Sequence, residues 1–419
     1  MKQRIIATAL SGALAVLALP SASAAVTAYR VLRSFGLKTD AQSPTDGVLG
    51  IYGWLVGVAA KGGPHMKGIV FAIDEASGKE KELYSFGVSA SALAKQPYQR
   101  GRDFDNLNPP PDYPLARAFA GNLIGVTRRG GTHNLGTVFE IDSKGKRTVL
   151  HSFAGGVEDG ATPNSPLVPD STGKTLYGTT EGGGQHGSGT VYSINISGSM
   201  YIRYSFSDLD TAAPPYFSVY KPVGRLAVNN NGVVYGTTSR GGKNDLGTVY
   251  ELNRPRYANE PYNMSVLHSF TGGNDGSDPV GGVVLNATQT TLYGVTTRGG
   301  SADKGTAYAY SASDKERVVH SFLGRDGGDG SYPSSGLIVD KADMLYGTTR
   351  SGGTLGKGTV FALDPSTGNE IVLHEFGGQA NGDGQSPNGR LIITYVGNLV
   401  GTTSSGGVND TGTIFALPR

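Results

Sequence analysis

Short apolar stretches with a two-residue alternation recur along the whole chain, separated by glycine-rich turns. In one clear copy, residues 345–349 read Leu-Tyr-Gly-Thr-Thr, residues 352–353 are Gly-Gly, and residues 358–361 read Gly-Thr-Val-Phe. Period-two alternation with β-branched and aromatic residues predicts β-strands. The phrase occurs seven times, and its first glycine always precedes its closing glycine by 11 positions. The seven first glycines are Gly57, Gly125, Gly178, Gly236, Gly294, Gly347 and Gly401.

A second phrase, Val-Leu-His-Ser-Phe and its variants, predicts one more strand in each repeat. Its phenylalanines are Phe35, Phe86, Phe153, Phe206, Phe270, Phe322 and Phe376. The first copy precedes the first Gly-Thr-Thr phrase and none follows the last, so residues 29–35 supply a strand that the last repeat lacks. Repeats of about 56 residues in this order predict an all-β fold, a seven-bladed β-propeller of four-stranded blades. The N-terminal strand would complete the last blade and close the ring.

The predicted strand order places the longer connections on one face of the ring. Tight polar hairpins, such as residues 364–369, fall on the opposite face. The Gly-Gly loops and the inter-blade loops that carry Asp-Gly and Pro fall on the first. Because binding residues concentrate on loops that a rigid scaffold positions, we expect the functional chemistry on this loop-rich face.

The two phrases together resemble the Gloeo_Verruco (GloVer) tandem repeat of bacterial choice-of-anchor surface proteins. The resemblance rests on L-Y-G-T-T-x-x-G-G-x-x-x-x-G-T-V-F, followed by S-F-x-G-G and D-G-x-x-P, and covers nearly all of residues 29–419. It implies an exported repeat protein. It brings no catalytic residues that could be transferred to this chain.

Composition and charge narrow the class of protein further. With 65 Gly and 21 Pro among 419 residues, long helices are not expected. Lys2 and Arg4, an apolar run over residues 5–19 and Ala-Ser-Ala at residues 22–24 predict a signal peptide, residues 1–24, cleaved before a single domain of residues 25–419. We therefore expect a secreted or periplasmic protein. Without Lys2 and Arg4 the charges balance, which argues against nucleic acid, and the chain has no Cys and no later membrane segment.

The seven histidines form two groups. Four lie in the outer-strand phrase, where packing and hydrogen bonding explain them; they are His151, His268, His320 and His374. His65, His133 and His186 lie eight residues after the first glycine of repeats one to three, in neighbouring loops. Three adjacent imidazoles predict ligands of a divalent metal or a general base with helpers, with solvated loop residues as the alternative.

Positive charge and aromatic residues gather on the same predicted face. Lys61, Arg129, Arg240 and Arg298 stand four residues after first glycines. An insertion over residues 87–113 adds Tyr98, Arg102 and Tyr113, and a second insertion spans residues 207–221. Guanidinium groups suit carboxylates, and long loops in compact domains are often functional. These residues predict contacts to an acidic glycan, with a solvated charged rim as the alternative.

The recurring Asp-Gly runs, such as Asp275-Gly276, loosely resemble calcium loops. Their recurrence at one type of turn has a simpler cause in turn chemistry. The sequence thus requires no cofactor, and calcium or zinc is the divalent metal it would allow.

Two function classes follow. In the first, the protein binds an acidic polysaccharide or cell-surface glycan and cleaves it by β-elimination as a polysaccharide lyase. Arg129 and Arg240 would then neutralise the uronate carboxylate, His133 or His186 would remove the α-proton, and Tyr98 or Tyr113 would protonate the leaving oxygen. A glycoside hydrolase using Glu181 and Asp245 is a less favoured variant. In the second class, the protein is a non-catalytic extracellular scaffold or adhesion module with a protein partner; in either class we expect a monomer.

Overall fold

A computed structural model describes residues 28–36, 40–87, 113–117, 122–208, 218–255 and 260–419, and these residues form β-strands joined by turns. The expectation of an all-β fold is confirmed. The helical segments in the described ranges are single 3-10 turns at Arg325–Gly327 and Gln379–Asn381. None of the helices in these ranges is long and apolar enough to cross a bilayer.

The strands of the first half of the chain are β1 (Arg30–Ser34), β2 (Gln42–Ile51), β3 (Trp54–Lys61), β4 (Ile69–Asp74), β5 (Glu80–Ser85), β6 (Ala116–Arg117), β7 (Leu123–Thr127), β8 (Thr137–Ile141), β9 (Arg147–Ser152), β10 (Gly160–Pro163), β11 (Val168–Pro169), β12 (Thr175–Gly183), β13 (Thr190–Asn195) and β14 (Met200–Ser205). Those of the second half are β15 (Val219–Val228), β16 (Val234–Gly241), β17 (Thr248–Asn253), β18 (Asn263–Ser269), β19 (Ser277–Leu285), β20 (Thr291–Arg298), β21 (Thr306–Ser311), β22 (Lys315–Ser321), β23 (Gly330–Pro333), β24 (Ile338–Val339), β25 (Leu345–Gly352), β26 (Thr359–Leu363), β27 (Glu370–Glu375), β28 (Gly384–Pro387), β29 (Ile392–Ile393), β30 (Leu399–Gly406) and β31 (Thr413–Leu417).

The strands pair in antiparallel units that follow one another along the chain. Unit 1 is β2–β5, unit 2 is β6–β9, unit 3 is β10–β14, unit 4 is β15–β18, unit 5 is β19–β22, unit 6 is β23–β27, and unit 7 is β28–β31 together with β1. A single parallel bridge between Arg225 and Gly282 joins units 4 and 5 into one eight-stranded sheet. In unit 7, β1 pairs with β31, with Arg30 opposite Ala416. The outermost strand of unit 7 therefore comes from the other end of the described chain.

The first glycine of each repeat makes room for an aromatic ring on the next strand. A Cβ atom at Gly347 would lie 2.5 Å from Cζ of Phe361. The other six first glycines meet the aromatic side chain of β4, β8, β13, β17, β21 or β31 at 2.3 to 2.6 Å from a virtual Cβ. Real Cβ atoms do not approach ring atoms so closely. Each ring can therefore occupy its position only where the residue opposite it is glycine.

The phenylalanine that ends each outer strand packs against that ring in the following unit. The Phe322 ring of unit 5 lies 5.2 Å from the Phe361 ring of unit 6, edge to face. The same contact occurs at Phe35–Phe71, Phe86–Phe139, Phe153–Tyr192, Phe206–Tyr250, Phe270–Tyr308 and Phe376–Phe415. The pair Phe35 and Phe71 joins unit 7 to unit 1, and one buried cluster there contains both rings together with Ile414. The hydrophobic core is thus divided into layers between neighbouring units.

Candidate functional site

A cavity of about 430 Å³ is lined by residues from units 2 to 7. Its lining includes the starts of inner strands and the second strands of several units, so it lies where the units converge. The charged residues that line it are Arg128, Glu181, Lys221, Arg225 and Arg390. Four cations therefore surround the space with one carboxylate.

The position of Arg225 and Arg390 within their repeats places both residues in this cavity. The leucine that follows each arginine packs toward the first glycine of its repeat: Leu226 toward Gly236, and Leu391 toward Gly401. Since side chains alternate along β15, Arg225 before Leu226 points out of the packed layer, and Arg390 has the corresponding place just before β29. Units 3 and 6 have Pro166 and Gly336 in this place, also in the cavity lining. The arginines are thus departures from the repeat at a fixed structural position.

The backbone and neighbouring side chains hold two of the guanidinium groups. Arg390 donates from Nε to the backbone carbonyl of Leu337 at 3.0 Å. Arg128 donates from Nη1 to the Tyr113 hydroxyl at 3.3 Å and from Nη2 to Glu181 in a short ion pair. The side chain of Glu181 is 52% exposed, so the pair is open to solvent. An anionic ligand could therefore displace the carboxylate of Glu181 from Arg128 at modest cost, because exposed ion pairs contribute little.

The structure brings two of the predicted residues, Tyr113 and Glu181, into the cavity, whereas Asp245, the predicted partner of Glu181, lies outside its lining. Lys61, Arg129, Arg240 and Arg298 are exposed and lie outside its lining. The preceding residues line it instead: Arg128 in unit 2 and Ser239 in unit 4. In unit 4, alternation along β16 explains the difference, since neighbouring side chains of a strand face opposite ways; Arg128 and Arg129 follow the end of β7. Tyr98 and Arg102 lie outside the described residues.

His133 and His186 are exposed at the turns after β7 and β12, and His65 is half-buried at the turn after β3. Among the described residues, histidine and carboxylate side chains meet in groups of three in two other places, and neither group includes these three histidines. The first group is His268, Asp275 and Glu316, and the second is His320, Asp329 and Glu370. The structure therefore does not bring His65, His133 and His186 together. Their predicted catalytic role stays a prediction.

The four outer-strand histidines each contact the aspartate of the following Asp-Gly turn. The distances from Nε2 are 3.1 Å for His151 to Asp159, 3.2 Å for His268 to Asp275, 2.9 Å for His320 to Asp329 and 2.9 Å for His374 to Asp383. The aspartates also accept backbone N–H groups, for example from Leu323 to Asp329 at 3.0 Å. The sequence interpretation explained the histidines and the Asp-Gly turns separately and missed that they pair. The signal was a spacing of seven to nine residues in all four repeats.

Two of these pairs have a second carboxyl group beside them. Burial, followed by the charge of Asp275, raises the pKa of Glu316 to about 7. Burial and the charge of Asp329 raise the pKa of Glu370 to about 8. Burial is the larger cause of both shifts, and the neighbouring carboxyl group adds to it.

The chain is similar in fold to an oligogalacturonate lyase that is a β-propeller, which supports a β-propeller-like all-β fold. An oligogalacturonate lyase in complex with manganese has a TM-score of 0.55 and 11% sequence identity, with 96% of each chain covered. A puromycin-hydrolyzing peptidase of Mycobacterium tuberculosis has a TM-score of 0.52 and 11% identity, with 94% of this chain and 55% of that chain covered. At such identities the likeness concerns the fold alone. No curated protein matches the chain.

One family model accounts for most of the chain. It describes the Gloeobacter/Verrucomicrobia repeat and matches residues 105–226 and 221–418. These stretches include the glycine phrases of units 2 to 7 and the phenylalanine phrases of units 2 to 6. The family expected from the sequence phrases is thereby confirmed: the chain belongs to the Gloeobacter/Verrucomicrobia repeat family.

Proposed function

We propose that the chain is an exported, seven-bladed β-propeller, closed by pairing of β1 with β31, that binds an acidic glycan in the cavity where its units converge. One observation carries the binding function: Arg128, Lys221, Arg225 and Arg390 surround a space whose lining has one carboxylate. The cavity of about 430 Å³ falls within the range of known small-ligand sites, about 300–1,000 Å³. The packing of Phe35 on Phe71 supports the ring closure.

The chemistry of the cavity favours uronate over neutral sugars. Arg225 and Arg390 come from different units and present guanidinium groups, which bind carboxylates through two parallel hydrogen bonds. A uronate chain carries one carboxylate on each sugar, so it can meet several of these cations at once. Tyr113 adds an aromatic surface beside Arg128. Protein that has lost its signal peptide would meet such glycans outside the cytoplasm.

We favour binding over cleavage, because His133 and His186, the predicted bases, do not line the described cavity, and a base for β-elimination must lie within reach of the α-proton. If cleavage occurs, Tyr113 is the group placed to protonate the leaving oxygen, and Arg128 would hold its hydroxyl. The likeness to an oligogalacturonate lyase supports oligogalacturonate as the first probe. The non-catalytic scaffold remains the alternative function.

Titration calorimetry of the mature chain with oligogalacturonate tests this proposal against a neutral oligosaccharide of equal length. We expect binding of the uronate alone, and a loss of about 10- to 100-fold in affinity for Arg225→Ala and for Arg390→Ala, as for charge-assisted hydrogen bonds. The matched control is the double variant Lys79→Ala with Lys144→Ala, which removes two exposed cations at the β4–β5 and β8–β9 hairpins. Equal losses in the cavity variants and the control would contradict a site in the cavity.

Cleavage is tested separately by the ultraviolet absorbance of unsaturated uronate ends in the same mixtures. An increase in absorbance with the wild-type protein that is absent with Tyr113→Phe would support the lyase. Binding without any growth in absorbance would leave a glycan-binding module. Absence of binding to every uronate polymer would remove the glycan proposal and favour the scaffold.

A further inference from the structure

A three-residue node recurs where the outer strand of one unit meets the next unit. Its first member is the residue two positions before the outer-strand phenylalanine. Its second member is the aspartate of the following turn. Its third member is the residue six positions before the next outer-strand phenylalanine. Five nodes contain that aspartate; they are Arg33–Asp40–Glu80, His151–Asp159–Met200, His268–Asp275–Glu316, His320–Asp329–Glu370 and His374–Asp383–Tyr29. The aspartate is common to all five, while the residues on either side vary.

The Arg33 node shows what two carboxylates need at this position. Arg33 contacts both of them: Nη2 donates to Asp40 at 2.9 Å and Nε donates to Glu80 at 3.2 Å. The planar guanidinium therefore bridges the two acids with a permanent positive charge.

The His268 and His320 nodes keep both carboxyl groups and replace the guanidinium by an imidazole. Nε2 of His268 lies 3.2 Å from Asp275 Oδ2 and 4.0 Å from Glu316 Oε2. The Glu316 side chain is nine-tenths buried, and its Oε1 has no hydrogen-bond partner among the described residues. Oε1 of Glu370 is likewise buried and unpartnered within the described part of the chain. Buried carboxylate oxygens without a partner are costly, which indicates that a cation belongs between them.

We propose that each of these two nodes binds one divalent transition-metal ion of the zinc type, through the imidazole Nε2 and the two carboxylates. Imidazole nitrogen and carboxylate oxygen are zinc ligands, held at about 2.0–2.2 Å from the ion, and the three ligand atoms of each node lie within 4.8 Å of one another, close to the spacing of a shared ion. Three protein ligands leave a further position for water.

The surroundings of the His320 node resemble those of ordered metal ligands. Asp329 accepts the backbone N–H of Leu323 at Oδ2, and its Oδ1 accepts the N–H of Gly330. The backbone carbonyl of Gly368 also accepts a hydrogen bond from His320. Such contacts fix the orientation of ligating side chains before an ion arrives.

Two other nodes lack the second carboxylate and provide internal comparisons. At His374 the third residue is Tyr29, whose ring stacks on the imidazole at 3.4 Å and whose hydroxyl donates to Asp383. At His151 the third residue is Met200. A histidine and one aspartate make a poorer site than three ligands, so binding is expected at two nodes only.

Calorimetric titration of the chelator-treated mature chain with zinc chloride tests the proposal without reference to glycan. We expect two ions per chain, and one ion per chain in Glu316→Gln and in Glu370→Gln, since a neutral amide is a weak zinc ligand. Glu80→Gln is the matched control, because Arg33 already holds that node, and it should keep two ions. Circular dichroism of each variant checks that it has folded.

A variant that does not fold is replaced by Glu316→Asp or Glu370→Asp, which keeps the charge and withdraws the oxygen; it should bind the second ion at least tenfold more weakly. No zinc binding, or two ions retained in both glutamine variants, would overturn the proposal. Stoichiometry that falls instead in His133→Ala with His186→Ala would overturn it too, by placing the ion in the exposed turns.

Discussion

The contacts between neighbouring units and the lining of the cavity come from the same repeats but follow opposite rules. Every unit presents a phenylalanine to an aromatic ring of the next unit, across a glycine that leaves room for that ring. The cavity lining, in contrast, changes from unit to unit, with Arg225 in unit 4, Gly336 in unit 6 and Arg390 in unit 7. What all repeats share is explained by packing. The proposed recognition of a glycan would therefore depend on the positions where the repeats depart from one another.

The largest expected effect is on stability, in the layer of aromatic contacts that all units share. Phe322→Ala should lower the free energy of unfolding by about 3–5 kcal/mol, because it empties a fully buried contact between units 5 and 6. Phe35→Ala should cost the same amount if β1 closes a ring with β31. Urea denaturation of both variants measures the two losses. A cost below about 1 kcal/mol for Phe35→Ala would show that the junction of units 7 and 1 is not equivalent to the others.

A smaller loss of stability is expected when a glycine that faces one of these aromatic rings is replaced. Gly347→Ala places a methyl group 2.5 Å from Cζ of Phe361 and should cost about 1–3 kcal/mol by overpacking. Gly273→Ala is the matched control, since its nearest neighbour, Oγ1 of Thr271, lies 4.0 Å from the virtual Cβ. Thermal denaturation compares the two variants. Similar melting temperatures would mean that the close approach of ring and glycine is relaxed in solution.

Substitutions in the cavity lining should lower the affinity for the ligand and leave the stability nearly unchanged. Arg225→Gln with Arg390→Gln removes two cations from the lining but no residue of the packed aromatic layer. We expect uronate affinity to fall by about 2–4 kcal/mol in binding free energy, while the free energy of unfolding changes by less than about 1 kcal/mol. Calorimetry and urea denaturation on one preparation measure both quantities. Loss of stability together with affinity would mean that these arginines belong to the core and not to a ligand site.

The two regions also differ in what the sequence could predict. The packed layer was accessible because its residues recur: the glycine spacing and the phenylalanine phrase led to β-strands, repeat units and family. Arg225 and Arg390 were missed because only the register of Leu226 and Leu391 against their glycines shows that the preceding residue faces the cavity. The loop cations drew attention through charge alone. Arg128 lines the cavity and its neighbour Arg129 does not, and composition cannot detect this difference between adjacent residues.

The His–Asp nodes mark a different limit. Both phrases were recognised, but their pairing across a turn of variable length needs three-dimensional structure. The third member of each node comes from the next unit, about 50 residues further along in four nodes, as Glu316 does for His268, and from the N-terminal Tyr29 in the His374 node. A repeat alignment fixes each position separately, and only the sheet geometry between units shows that the three positions meet.

The smallest expected effect tests whether packing alone determines which residues form the aromatic layer. Units 3, 4 and 5 have Tyr192, Tyr250 and Tyr308 where the other units have phenylalanine. Their hydroxyl groups are buried without a hydrogen-bond partner among the described residues, and burial raises the pKa of Tyr308. Tyr308→Phe should therefore be neutral or raise the free energy of unfolding by up to about 1 kcal/mol, because it removes an unsatisfied polar group and keeps the ring contact with Phe270. The converse variant, Phe361→Tyr, introduces such a hydroxyl beside Gly347 and should be destabilising by a similar amount. Urea denaturation of the pair decides the matter: a clear loss of stability in Tyr308→Phe would reveal a partner for the hydroxyl, and the tyrosines of units 3 to 5 would then have a role that packing does not explain.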